Sequence, residues 1–107
     1  MGSKSPYEKR NKLTVRRCAV KYKYGLEWEE FEELHRLANG RCEICDRQIS
    51  LMASPDMETA YVDHDHVTQK VRGLLCRVCN VALGHFKDSR VHLHKALDYL
   101  DKYGNNR

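Results

Sequence analysis

The stretch Cys42-Glu43-Ile44-Cys45 and its echo Cys76-Arg77-Val78-Cys79-Asn80, thirty residues further on, decide how this chain is read. Two residues between thiolates let one turn of backbone offer two corners of a tetrahedron, and a second such turn closes it around a single zinc ion. Four sulfurs leave no open coordination position, so the spacing predicts a structural zinc site on Cys42, Cys45, Cys76 and Cys79. Two disulfides, or a redox Cys-x-x-Cys, are the competing readings. The N-terminus is charged and carries no apolar run of signal length, which favours metal in a soluble, reducing compartment. The fifth cysteine, Cys18, stands alone and reads as a small, semi-buried hydrophobe.

The zinc staple matters because the chain is short. At 107 residues it is expected to form one domain, and with 32% charged residues against 41% hydrophobic ones its core is modest. Zinc binding couples to folding and relieves that shortage. No apolar run approaches the length needed to cross a membrane. Charge is unevenly spread. Residues 1–24 carry eight bases, Arg16 and Arg17 among them, against Glu8 alone, whereas residues 25–60 carry nine acids against three bases. A basic N-terminal arm over 1–24, partly disordered, is expected to meet a polyanion, with the folded domain spanning 25–107. A solvated tail is the plainer reading of the same charges.

Between arm and zinc pair, Glu27 to Ala38 reads as a helix. Trp28, Phe31, Leu34 and Ala38 share one face, acids crowd the first turn, and Gly40 stops it. Residues 13–24 read as a short helix or an irregular arm, and 48–60 as a loop. Ala60-Tyr61-Val62 runs as a strand into Asp63. Lys70 to Leu75 forms a second strand with Gly73 as a weak point or bulge, and the two suit a hairpin. A helix starts at the second zinc pair and ends near Phe86. A last helix follows a cap at Asp88-Ser89, with Leu93, Ala96, Leu97 and Leu100 on its apolar face.

Inside the cysteine frame lies Asp63-His64-Asp65-His66. Strand alternation puts the two acids on one face and the two histidines on the other, unless a loop at the strand end breaks the pattern and brings Asp63 and His64 together. Carboxylate oxygen suits Mg²⁺ or Mn²⁺, and a neutral imidazole suits a general base. Alone, the run also supports a second zinc or nickel site, or a solvated polar turn. Asn80, just past the second zinc pair where a helix begins, adds an amide to the set.

These motifs together, Arg41-Cys42-Glu43-Ile44-Cys45, Val62-Asp63-His64-Asp65-His66 and Val71-Arg72-Gly73-Leu74-Leu75-Cys76-Arg77-Val78-Cys79-Asn80, followed by Ala82-Leu83-Gly84, resemble the phage recombination endonuclease VII family within the HNH, or His-Me finger, nucleases. The resemblance runs from about Tyr24 to Leu100. It implies an α+β fold with a small zinc-stapled ββα-metal core and flanking helices. It implies DNA as partner, Zn²⁺ as structural metal and Mg²⁺ as catalytic cation, with Mn²⁺ as a substitute. His64 would be the general base, Asp63 and Asn80 the cation ligands, and His66 a secondary active-site residue. The products would carry 5′-phosphate and 3′-hydroxyl ends. Lys70, Arg72 and Arg77, with Arg16 and Arg17 of the arm, are the expected phosphate contacts, and a phage protein in its host's cytoplasm the expected setting. Only about twenty residues follow Phe86, where junction-resolving members carry longer dimerising helices, so branched DNA as substrate, and monomer or homodimer as state, stay open. The alternative is a non-catalytic zinc-ribbon module that binds DNA, or a protein-interaction adaptor.

Overall fold

The computed structural model describes residues 11–53 and 58–104. Its elements run α1 (Lys12–Tyr24), α2 (Trp28–Leu37), β1 (Ile49–Ser50), β2 (Glu58–Thr59), β3 (Tyr61–His64), β4 (Val71–Leu75), α3 (Arg77–His85) and α4 (Arg90–Lys102). The expected disorder at the start of the arm and the fraying beyond Gly104 fall largely outside the described residues.

The arm resolves to a helix rather than irregular chain over Lys12–Tyr24. Asn11 caps it by accepting the Thr14 N–H at 2.7 Å, and Gly25 ends it with φ 70. Val20 on this helix is fully buried, so the arm contributes to the core. Arg16 pins it in place. Its guanidinium donates to the carbonyls of Leu51 (2.8 Å) and Ala60 (3.3 Å) and lies 5.4 Å from the centre of the Phe31 ring. Cys18 corrects its sequence reading: it is exposed on the outer face of α1, because Val20 rather than Cys18 points inward.

In α2 the Glu27 N–H donates to the Glu30 carboxylate at 2.8 Å, satisfying one donor that a helix start leaves free. Trp28 and Phe31 are buried and meet edge to face at 5.5 Å. One turn on, His35 Nε2 sits 2.8 Å from the Ile49 carbonyl oxygen and ties α2 to β1. The stretch read as a loop is not all loop. Ile49 and Ser50 pair in parallel with Glu58 and Thr59, since Ile49 is almost wholly buried and holds this segment against the core. The expected turn residues Ser54, Pro55 and Asp56 lie outside the described ones.

β3 and β4 form the expected antiparallel hairpin, with α3 packed against both strands. Cys76 is the N-cap of α3, its sulfur 3.4 Å from the Cys79 N–H it accepts. Ser89 caps α4 by accepting from the His92 N–H. Leu97 and Leu100, on the predicted apolar face of α4, are exposed. No helix among the described residues is long and apolar enough to cross a membrane.

The core is one cluster: Val20 from α1, Trp28 and Phe31 from α2, Ile49, Ala60, Val62 and the Leu74-Leu75-Cys76 run, with Cys42 at its edge. Phe31 sits at its centre, touched by Trp28 and the Arg16 guanidinium. Phe31→Ala should therefore lower unfolding free energy by about 3–5 kcal/mol, measurable by denaturant titration of the zinc-loaded protein.

Candidate active site and zinc staple

The four cysteine sulfurs lie within 4.8 Å of one another. Cys45 Sγ and Cys76 Sγ, from opposite ends of the frame, are 3.7 Å apart. A tetrahedron with metal–sulfur bonds of about 2.3 Å has edges of about 3.8 Å, so the set fits one zinc ion. The first pair sits in a tight turn: Cys42 N–H donates to Arg47 O, Asp46 N–H to Cys42 O, and Asp46 takes φ 68. Burial opposes ionisation of Cys42, Cys76 and Cys79. It pushes Cys76 and, with the neighbouring sulfurs, Cys79 upward. At Cys42 burial is outweighed by hydrogen bonds from the backbone of Cys45, Cys76 and Ile44, which bring its thiol down to about 6. Four thiolates this close need a cation to neutralise them.

Glu43, inside the first pair, links the staple to the hairpin. Its carboxylate accepts the Leu74 N–H at 2.8 Å. Gly73 makes the room, because a methyl group there would collide with that carboxylate. The register explains what happens next to it. Tyr61, Val62 and Asp63 face Leu75, Leu74 and Gly73, but His64 faces Val71, so Arg72 is an extra residue in β4. A bulge of this kind re-aims a side chain. Here it turns Arg72 onto Asp63: Nε donates to Oδ2 at 2.6 Å and Nη2 to Oδ1 at 3.0 Å. Asp63 is only 9% exposed, and Arg72 is the counter-charge to its carboxylate. The pairing pushes the Arg72 pKa up, first through the hydrogen bond to Asp63.

The strand alternation expected of the Asp63–His66 run stops at His64, where β3 ends. His64, half-buried, ends β3 with its ring 5.9 Å from that of Tyr24. Asp65 turns away into the loop and accepts the N–H groups of Val67 (2.8 Å) and Thr68 (2.9 Å), which lower its pKa. His66 is exposed, with Nε2 3.6 Å from an Asp88 oxygen, and the same carboxylate accepts from Arg72 Nη2 at 3.2 Å. Asn80 is half-buried on the first turns of α3, the helix that packs on β3 and β4. A carboxylate and an amide are the donor types a hard divalent cation takes, so Asp63 and Asn80 fit one by chemistry, although Asp63 must then share or release Arg72.

The remaining candidates are spread out. Lys70 and Arg77 are exposed at the two ends of β4. Arg17 is 3.5 Å from Glu29, and Arg16 is committed to backbone carbonyls. Sequence reasoning overlooked Tyr24, Glu43 and Asp88. A glutamate inside a zinc pair was a usable signal for Glu43, whereas nothing local marked Tyr24 or Asp88.

A family model described as recombination endonuclease VII matches residues 17–102. The chain belongs to the recombination endonuclease VII family. Among similar proteins are the Gene 59 protein of Mycobacterium phage D29, 42% identical over 80 residues, and that of Mycobacterium phage L5, 38% identical over 78. These alignments cover 74% and 72% of this chain but 46% and 44% of the phage proteins, so the chain spans less than half their length. The crystal structure of the ββα-Me type II restriction endonuclease Hpy99I superposes with a TM-score of 0.52 at 30% identity, over 81% of this chain and 48% of that one. The β3–β4–α3 unit is thus a ββα-Me core in an α+β fold.

Two measurements probe the staple of this endonuclease VII family chain. Gly73→Ala must expel the Glu43 carboxylate and cost about 1.5–3 kcal/mol, visible as a lower melting temperature. Zinc should be held near neutral pH and released on acidification, since protons compete with the metal for the thiolates. A chromogenic chelator with circular dichroism should record zinc release and helix loss together, and Cys42→Ser should be unfolded at every pH.

Proposed function

We propose that this chain is a divalent-metal-dependent DNA endonuclease in which His64 is the general base. The observation that carries this reading is the ββα unit itself: β3 ends in Asp63 and His64, and α3, bearing Asn80, packs on the same hairpin. A pure binding module has no use for a base, a carboxylate and an amide within one ββα unit.

The residues divide the work as follows. His64 accepts a proton from the attacking water at a ring nitrogen, and the Tyr24 ring limits where the imidazole can swing. Asp63 and Asn80 would hold the cation, Mg²⁺ with Mn²⁺ as substitute, since a carboxylate and an amide are donors such a hard ion takes. When bound, the cation supplies positive charge to the scissile phosphate and to the departing 3′ oxygen, leaving 5′-phosphate and 3′-hydroxyl ends. His66, exposed beside Asp88, orients substrate from the rim. Lys70, Arg72, Arg77 and Arg17 steer the polyanion, while the Leu51 and Ala60 carbonyls keep Arg16 in a structural role. The phage relatives support a setting in the cytoplasm of an infected host. The Cys₄ zinc holds this geometry without touching substrate.

A nicking assay on supercoiled plasmid and on a synthetic four-way junction, with Mg²⁺ or with EDTA, tests the reading and ranks the two substrates. Cleavage should require the cation. His64→Ala should lower it at least about 100-fold while leaving circular dichroism and DNA retention unchanged. Cleavage by His64→Ala at the wild-type rate would overturn the assignment. Absence of EDTA-sensitive cleavage on either substrate would favour the non-catalytic DNA-binding module.

A further inference from the structure

Asp88 reaches the site from outside the ββα unit. It lies in the turn between α3 and α4, where Lys87 and Asp88 take consecutive left-handed conformations, φ 53 and 56. That backbone region disfavours residues with a Cβ, and glycine is its usual occupant. The turn is held by its own backbone: Lys87 N–H donates to Gly84 O at 2.9 Å and Asp88 N–H to Leu83 O at 3.0 Å. A glycine at position 88 would make the same turn with less strain, so the turn does not explain the carboxylate.

The carboxylate has partners of its own. One oxygen accepts from Arg72 at 3.2 Å and faces His66 Nε2 at 3.6 Å. The Asp88 side chain is 22% exposed, which keeps water from screening it fully. Arg72 is therefore shared between two carboxylates, held by two hydrogen bonds at Asp63 and by one at Asp88. Arg72 and Asp88 border the space between the hairpin and the α3–α4 turn, where with His66 they line a cleft of about 720 Å³. A divalent cation at Asp63 repels the guanidinium and competes for the same oxygens. Among the described residues Asp88 is the one carboxylate besides Asp63 that is hydrogen-bonded to Arg72, so the guanidinium can shift its weight there without leaving the cleft.

We propose that Asp88 is a positioning residue that acts on the cation site through Arg72, taking up the guanidinium when a divalent cation claims Asp63. This rests on the reading of Asp63 as a cation ligand. Through it, cation occupancy is set by a balance between two carboxylates for one arginine, and Arg72 stays in the cleft as a positive charge facing phosphate. Removing Asp88 leaves Arg72 on Asp63 alone and makes the cation harder to bind. Removing Arg72 makes it easier and renders Asp88 irrelevant.

The test uses the zinc-loaded full chain without DNA, with Mn²⁺ as probe and free Mn²⁺ followed by electron paramagnetic resonance. Asp88→Asn should weaken Mn²⁺ binding about threefold or more, Arg72→Gln should tighten it by a similar factor, and Asp88→Glu should recover most of the loss. In the Arg72→Gln background, Asp88→Asn should have no further effect. An unchanged affinity in Asp88→Asn overturns the proposal, as does an equal loss with and without Arg72, which would be the effect of a distant charge. Asp88→Gly separates positioning from fold maintenance. It should melt close to wild type and still bind Mn²⁺ as weakly as Asp88→Asn, and a large fall in melting temperature would make the role structural and overturn the proposal. Asp63→Asn separates the two levels. If it leaves Mn²⁺ affinity unchanged, the cation reading fails and this inference with it. If it abolishes binding while Asp88→Asn does not weaken it, the inference alone is overturned.

Discussion

Four sulfur atoms within 4.8 Å of one another close this chain at two points thirty residues apart. The hairpin, the α3 helix start and the candidate active site all hang from that closure. The buried cluster is small, and much of it is contiguous with the staple: Cys42 and Cys76 are core residues themselves, and Leu74 and Leu75 run directly into Cys76. In a domain of this size a metal that binds only the folded arrangement stabilises it by linkage, in place of apolar area the chain does not have. Helices α1 and α2 enlarge the core from the other side, with Phe31 as the contact and Arg16 as the clamp that fastens α1 to the segment between β1 and β3.

The staple is connected to the chemistry by one side chain. Glu43 leaves the first cysteine pair, passes over Gly73 and accepts the Leu74 N–H. One residue along, the bulge inserts Arg72 opposite the junction of Asp63 and His64. A regular hairpin would place Asp63 and His64 on opposite faces with their neighbours in strict alternation. The extra residue lies in β4 and delivers an arginine to the buried carboxylate. A charge as buried as Asp63 needs a partner, and Arg72 supplies two hydrogen bonds to it. The same arginine reaches Asp88, and Asp88 faces His66, so four polar residues from three segments form one network around the end of β3.

Much of this was legible in the linear chain. The zinc ligands follow from the spacing of Cys42, Cys45, Cys76 and Cys79 alone, because two intervening residues set the reach of each pair. The α2 helix and the hairpin follow from apolar periodicity, and Asp63-His64-Asp65-His66 stands out as a dense run of chemistry-bearing side chains. The family is legible as well, because several short motifs occur in one order. Other features were not readable locally. The pattern in residues 13–24 is too weakly amphipathic to choose between arm and helix, and the choice falls to Val20 finding the core. The β1–β2 pair is two residues long on each side, below any periodic signal, and exists because Ile49 is buried.

The sequence by itself determined the four-cysteine metal site, the α2 helix, the hairpin and the residues able to do chemistry, since these depend on residue type and short spacing. Only the tertiary structure decided which of those residues act on one another. It committed Arg16 to two backbone carbonyls, turned Asp65 into a turn-forming residue, set Tyr24 against His64, and gave Arg72 to both Asp63 and Asp88. Each of these joins segments that are distant in the chain or depends on a one-residue shift in register. Such a shift redirects a side chain without changing the pattern of residue types from which a sequence is read.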